Sequence, residues 1–272
     1  REKGPMIRVY IAAEDKTKKM YLEEYLVGVL AAEMPAGFAK EALQAQAVAA
    51  RTYALKKINA FAGSGNQVHP QAEICTNPSH CQGWLSAKDM KKKWGWLKSW
   101  EYEKKLASAV ESTTGQVAKY KQDLIDPVYH STCGGQTEQA EEVWTYQVPY
   151  LKSVPCTWDR ESPKYIGKIT FSRAEFNKRL DLNIKAVNFS ANALQVLAKT
   201  KTGRVKIIKA GNKAFSATEF RGKLGLNSTN FTWYVADDAI TFETKGYGHG
   251  VGMCQYGANG LAEKGYPAEK IL

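Results

Sequence analysis

The chain is 272 residues long, 44% hydrophobic and 24% charged, with a net charge of +11. That length can bury one large core or two modest ones, and two lobes are expected. No apolar run approaches the roughly 20 residues that span a bilayer. The lysines at Lys91–Lys93, Lys104–Lys105, Lys119–Lys121 and 199–213 come with no helix-turn-helix, RNA-recognition or finger motif, so the positive charge is assigned to a polyanion other than nucleic acid. Five cysteines are too few for a disulfide scaffold and odd in number; in an oxidising compartment one or two bridges and a leftover thiol are expected.

Residues 6–12 alternate apolar and polar and predict a strand, followed by a turn at Glu14-Asp15 and a first helix. In that helix Leu22, Leu26, Val29 and Glu33 share one stripe, which puts a carboxylate on the buried face. Pro35 and Gly37 end the helix, leaving Glu33 in its last turn. The negative end of the helix dipole and partial burial both disfavour ionisation there, so the Glu33 pKa is expected to rise. A second helix over 38–58 carries Leu43, Ala47, Ala50, Ala54 and Ile58 on one face, and Arg51 borders it. Such a guanidinium suits an anionic ligand or a pairing with Glu33, and the pairing would oppose the rise in pKa.

An irregular excursion from about residue 62 to Trp84 holds His69, Cys75, His80 and Cys81. Thiolate and imidazole are the donors zinc prefers, and a Cys75–Cys81 disulfide is the alternative. Either is structural, with no evident tie to Glu33. Trp94, Leu97 and Trp100 fall at helical spacing and read as core. Gln116–Tyr120 and Leu124–Tyr129 predict strands. His130-Ser131-Thr132-Cys133-Gly134-Gly135 suits a loop whose backbone approaches a ligand. It holds no nucleophile pair, because His130 and Ser131 would point to opposite faces. Tyr150 and Lys152 share one face of a short strand over 149–154. From 163 to 237, capping boxes at Ser172 and Ser216 open helices through Leu180 and Leu224, around a hairpin of Leu194–Ala198 and Val205–Lys209. Another hairpin, Phe231–Val235 with Ile240–Thr244, leads to Gly246-Tyr247-Gly248-His249-Gly250-Val251-Gly252, a loop without side-chain walls where His249 and backbone donors could face a ligand.

Four of these stretches together resemble the stage II sporulation protein D family. They are Tyr25–Pro35 with Glu41–Ala54, His130–Gly135, Pro149–Val154 and Gly246–Ala258, and they span most of the chain. The insert word Cys75…His80-Cys81-Gln82 is also similar to sporulation-type members. Cys133 stands where members often carry a smaller polar residue, and Cys254 where Ser is usual.

The resemblance implies an α+β protein of two lobes with a glycan-binding cleft between them. Residues 1–160 with 238–272 would form the catalytic lobe, 62–105 its insert, and 161–237 an inserted second lobe. It implies a peptidoglycan lytic transglycosylase acting in sporulation, with Glu33 as catalytic acid and Arg51, Ser131, Tyr150, Lys152, His249, Gln255 and Tyr256 binding substrate. A zinc at His69, Cys75, His80 and Cys81 would be structural, and the chemistry would need no cofactor. The substrate would be glycan strands stripped of stem peptides, the partners a sporulation amidase and a membrane protein. The location would be outside the cytoplasm, through an N-terminal anchor beyond this sequence. A hydrolytic muramidase and a non-catalytic peptidoglycan-binding protein are the competing readings.

Overall fold

A computed structural model describes residues 4–58, 63–144, 146–186 and 189–272. Ala62, where the insert was expected to open, lies outside them. Helices and strands are mixed, so the class is α+β. The chain divides into two compact units, Arg1–Val128 with Leu261–Leu272, and Tyr129–Gly260.

In the first unit β1 (Met6–Ile11) pairs antiparallel with β2 (Lys16–Tyr21) and parallel with β3 (Ile74–Cys75). Ile7, Val9 and Ile11 alternate into the core. Only Met20 of β2 is buried, which is why the sequence pattern shows a turn there and no strand. Helix α1 (Leu22–Glu33) buries Leu22, Tyr25, Leu26 and Val29, and α2 (Lys40–Leu55) buries Leu43, Ala47, Ala50 and Ala54. The alanine face of α2 lets helices approach closely. Next come α3 (Ala87–Trp94) and α4 (Trp96–Ser112), the latter packed on both α1 and α2.

The aromatic run was expected to be core. Instead Trp96, Leu97 and Trp100 are among the most exposed large apolar residues described. Gly95, at φ 76°, separates α3 from α4 and breaks the phase, so Ser99, Leu106, Ala109 and Val110 form the inner face of α4. A small hairpin, β4 (Lys119–Tyr120) with β5 (Asp123–Leu124), closes this unit's N-terminal part. Pro127 limits the strand predicted for 124–129 to its two ends.

The second unit holds β6 (Tyr129–His130), β7 (Gly135–Gln136), α5 (Ala140–Val143) and β8 (Pro155–Cys156). Then follow β9 (Ile166–Ser172) and α6 (Arg173–Leu180), the sheet β10 (Leu194–Lys199), β11 (Val205–Ala210) and β12 (Lys213–Ser216), and α7 (Ala217–Leu224). The hairpin β13 (Phe231–Ala236) with β14 (Ala239–Lys245) precedes β15 (Met253–Cys254) and α8 (Gln255–Ala262). Ser172 and Ser216 accept the backbone N–H groups of Glu175 and Glu219, the caps the sequence announces. Phe171, Phe176, Phe220, Phe231 and Phe242 stack into one aromatic core.

Residues 161–237 are not a unit apart. β9 pairs with β14 from Ser172↔Ala239 to Ile166↔Lys245, and β6 pairs parallel with β15 through Tyr129↔Met253 and His130↔Cys254. Strands on both sides of the expected boundary at 237/238 therefore share one sheet and one core, while β6 and β15 form a separate two-stranded sheet.

Candidate functional site

Glu33 is the last residue of α1, where the sequence put it. Met34 leaves the helix in extended conformation, its N–H still bonded to the Leu30 carbonyl, as a residue before proline should. Burial pushes the Glu33 carboxyl above the ordinary carboxylate range, opposed by a hydrogen bond that the Gly83 N–H donates to its Oε1 at 2.6 Å. The ammonium of Lys93 donates to the Ala31 carbonyl at 3.0 Å and caps the negative end of the same helix.

The Gly83 bond corrects one expectation. The Cys/His excursion is tied to Glu33 after all, because the chain leaving it runs along α1. The Leu85 N–H donates to the Gly28 carbonyl at 3.1 Å, and a Cβ on Gly28 would lie 2.1 Å from Trp84 Nε1, so only glycine admits the indole there. A Cβ on Gly83 would come within 3.0 Å of Glu33 Oε1. Neither contact has a periodic signature; a glycine facing a glutamate across fifty residues is visible only in three dimensions.

The ligating atoms of His69, Cys75 and His80 lie within 4.8 Å of one another. Cys81 is adjacent, its Sγ accepting the Cys75 N–H at 3.4 Å. The turn that neighbouring His80 and Cys81 require is present, both N–H groups bonding to the Asn77 carbonyl. All five cysteines are thiols, so the bridges expected from their number are not formed. Two imidazoles with one or two thiols are a donor set that zinc accepts.

Arg51 departs from the role assigned to it. It is 1% exposed. Its guanidinium grips both carboxylate oxygens of Glu23, Nε to Oε1 at 3.0 Å and Nη2 to Oε2 at 2.7 Å, and also donates to the Val110 and Gln116 carbonyls and to Thr113. Those bonds use the whole fork to tie α1, α2 and the end of α4 together. Arg51 therefore neither pairs with Glu33 nor faces a ligand.

In the second unit, pairing of β6 with β15 brings the His130–Gly135 word against the Gly246–Ala258 word, more than a hundred residues apart in sequence. The Tyr256 N–H donates to the Ser131 carbonyl at 3.0 Å, and the Thr132 and Tyr247 backbones bond to each other. Ser131 is half-buried and His130 buried, on opposite faces as the strand pattern requires.

His249 is half-buried between the rings of Trp144 and His130, at 5.3 and 5.7 Å. Its Nδ1 accepts the Val251 N–H at 3.1 Å, and a second backbone hydrogen bond runs to Tyr129. Burial, with Arg221 nearby, lowers its pKa to about 4, so it is neutral at pH 7 and serves to fasten the loop. Gln255 is buried. The glycine loop also has a different reason from the one expected: its open positions admit the protein itself. A Cβ on Gly246 would lie 2.7 Å from the Thr132 carbonyl oxygen, and one on Gly248 2.9 Å from the His130 Cβ.

Residues 149–154 form a turn and an extended segment, not a strand, yet the alternation holds, with Leu151 buried, Tyr150 half-buried and Lys152 exposed. The segment is pinned where the Thr137 N–H donates to the Val154 carbonyl at 3.0 Å and the Ser153 hydroxyl to the Thr137 carbonyl at 2.6 Å. Sequence reasoning missed three buried charges here. Glu138 and Asp159 are fully buried, and Arg204 is 3% exposed, with its Nε 4.0 Å from Glu138. Glu138 stands beside a recognised word, but nothing local marks Asp159 or Arg204.

An α+β chain with a buried glutamate of raised pKa at a helix end, and a second unit whose two glycine-rich words interlock, has clear relatives. The stage II sporulation protein family model matches residues 10–120. Stage II sporulation protein D of Bacillus subtilis (strain 168) is 39% identical over 267 residues, covering 98% of this chain and 76% of its own. The protein of that name from Bacillus amyloliquefaciens is 37% identical over 272 residues, covering 100% and 77%. The chain belongs to the stage II sporulation protein D family. The Amidase enhancer of Bacillus subtilis (strain 168) is 29% identical over 301 residues, covering 91% of this chain and 39% of its own length.

Proposed function

We propose that this protein is a peptidoglycan lytic transglycosylase of sporulation, cutting between N-acetylmuramic acid and N-acetylglucosamine to leave a 1,6-anhydro end. The observation that carries the reading is Glu33, a carboxyl at a helix terminus whose pKa burial raises from the ordinary carboxylate value. It donates its proton to the glycosidic oxygen as the bond breaks. The resulting carboxylate then takes the proton of the muramoyl 6-hydroxyl as that oxygen closes on the anomeric carbon. The internal nucleophile replaces the second carboxylate that ordinary glycosidases need. Ser131, Tyr150, Lys152 and Tyr256 contact the strand, Lys152 being exposed and able to meet a lactyl carboxylate. His249 and Gln255 hold the loops that carry them.

The zinc proposed at His69, Cys75, His80 and Cys81 is structural and fixes the turn from which Gly83 reaches Glu33. Elemental analysis after reducing preparation should find about one equivalent that His80→Ala removes; a Cys75–Cys81 bridge in the peptide map would exclude it. The relative named Amidase enhancer supports an amidase partner, placed upstream to strip stem peptides. The location is outside the cytoplasm with an N-terminal anchor; within the described residues no helix is long and apolar enough to cross a membrane.

Mass spectrometry of products from a defined glycan tests the reaction. Anhydro ends are expected. Reducing ends, heavier by one water, would make the protein a muramidase, and binding without cleavage would make it a non-catalytic peptidoglycan-binding protein.

A further inference from the structure

A second group of metal-binding side chains lies in the unit of residues 129–260. The Sγ atoms of Cys133, Cys156 and Cys254 and a carboxylate oxygen of Asp159 lie within 4.8 Å of one another, and all four residues are buried. Cys133 Sγ is 3.1 Å from Asp159 Oδ2, and Cys254 Sγ is 3.7 Å from the same oxygen. Bonds of about 2.3 Å to sulfur and about 2.1 Å to oxygen in a tetrahedron separate the ligand atoms by roughly 3.6–3.8 Å. The Cys254 Sγ to Asp159 Oδ2 spacing already fits, and that from Cys133 Sγ need open by only about half an ångström.

Asp159 carries the argument further. It has no exposure; its Oδ2 accepts the Gly134 N–H at 2.7 Å, and its Oδ1 has no hydrogen-bond partner among the described residues. A buried carboxylate facing three sulfurs with one oxygen unsatisfied is costly unless a cation joins it.

The surroundings resemble a metal site's outer shell. The N–H groups of Cys133 and Gly257 each donate to Cys254 Sγ at 3.3 Å, the pattern that orients and stabilises a ligating thiolate. Gly257 is obligatory, since a Cβ there would lie 2.3 Å from Cys156 Sγ. Arg204, buried beside the group, donates to the Cys133 carbonyl at 2.5 Å and brings a positive charge that offsets several anionic ligands.

We propose that Cys133, Cys156, Cys254 and Asp159 form a second metal site, taking a zinc-class divalent cation between three thiolates and one carboxylate. It shares no residue with the His69, Cys75 and His80 group. Binding expels the three thiol protons and staples the loop after β6, strand β8 and the β15–α8 junction. These segments bear Ser131 and Tyr256, so the site sets the spacing of the interlocked words. The site stands independently of the transglycosylase reading.

The test uses the full chain, purified under reducing conditions from zinc-supplemented medium, with Cys75→Ser and His80→Ala removing the other cluster. About one equivalent of zinc should remain, and adding Cys156→Ser should lower it to under about a tenth. Where Cys156→Ser prevents folding, Asp159→Asn keeps all three sulfurs and should weaken zinc retention against a chelator at least about tenfold, the size of effect expected on losing a ligand's charge or its support. Cobalt substituted into the Cys75→Ser/His80→Ala protein should show intense thiolate-to-metal absorption. Zinc absent from that protein, or a disulfide between any two of Cys133, Cys156 and Cys254 after non-reducing preparation, would overturn the proposal.

Discussion

Glu33→Gln is expected to lower the rate of glycan cleavage at least about a hundredfold, the low end of a general-acid contribution, while strand binding is retained. Glutamine keeps the shape and still accepts the Gly83 N–H through its carbonyl oxygen, but it transfers no proton. Glu33→Asp should also fail, since a shorter arm withdraws the proton by about 1 Å and reactive geometry is sensitive on that scale.

Stability supplies a readout that activity alone does not. The Glu33 carboxyl is raised in the folded protein, so the folded state binds its proton more tightly than the unfolded chain does. Its destabilising effect is absent below the unfolded pKa and fully present above the folded one. The melting temperature of Glu33→Gln should therefore match wild type in acid and rise above it as pH climbs through that window. A variant that melts this way yet still releases anhydro products at the normal rate would show that Glu33 is not the acid.

What the sequence could disclose followed from how local each cause was. Glu33 was placed correctly because Pro35, Gly37 and the stripe of Leu22, Leu26 and Val29 all act within one helix and its exit. The capped helices after Ser172 and Ser216 and the hairpins around 200 and 237 were legible for the same reason. Contacts across distant segments were not. Gly83 reaches Glu33 over fifty residues, and Asp159 meets Cys254 over ninety-five. The glycines at 246 and 248 were recognised as open positions, but whether a ligand or the chain's own Thr132 and His130 fills the space depends on tertiary structure. The same distinction moves His249 from facing a ligand to fastening a loop.

Arg51 gives the largest expected effect on stability and separates the two roles it has been assigned. Arg51→Leu leaves the Glu23 carboxylate, with a side chain 13% exposed, without its cation, and strips donors from the Val110 and Gln116 carbonyls. Removing one partner of a buried ion pair costs about 3–5 kcal/mol, a fall in melting temperature of roughly 10 °C for a chain of this size. Arg51→Lys should recover little, because a point charge cannot reproduce a fork that grips both Glu23 oxygens and two carbonyls. Adding Glu23→Gln to Arg51→Leu should restore part of the loss by removing the uncompensated charge, but not all, since the Gln116 carbonyl still lacks the donor that Arg51 supplied. Below its lowered melting temperature, Arg51→Leu should bind glycan with unchanged affinity. A variant that melts like wild type but binds glycan much more weakly would return Arg51 to the substrate, and with it the reading that the arginine of this helix meets an anionic group.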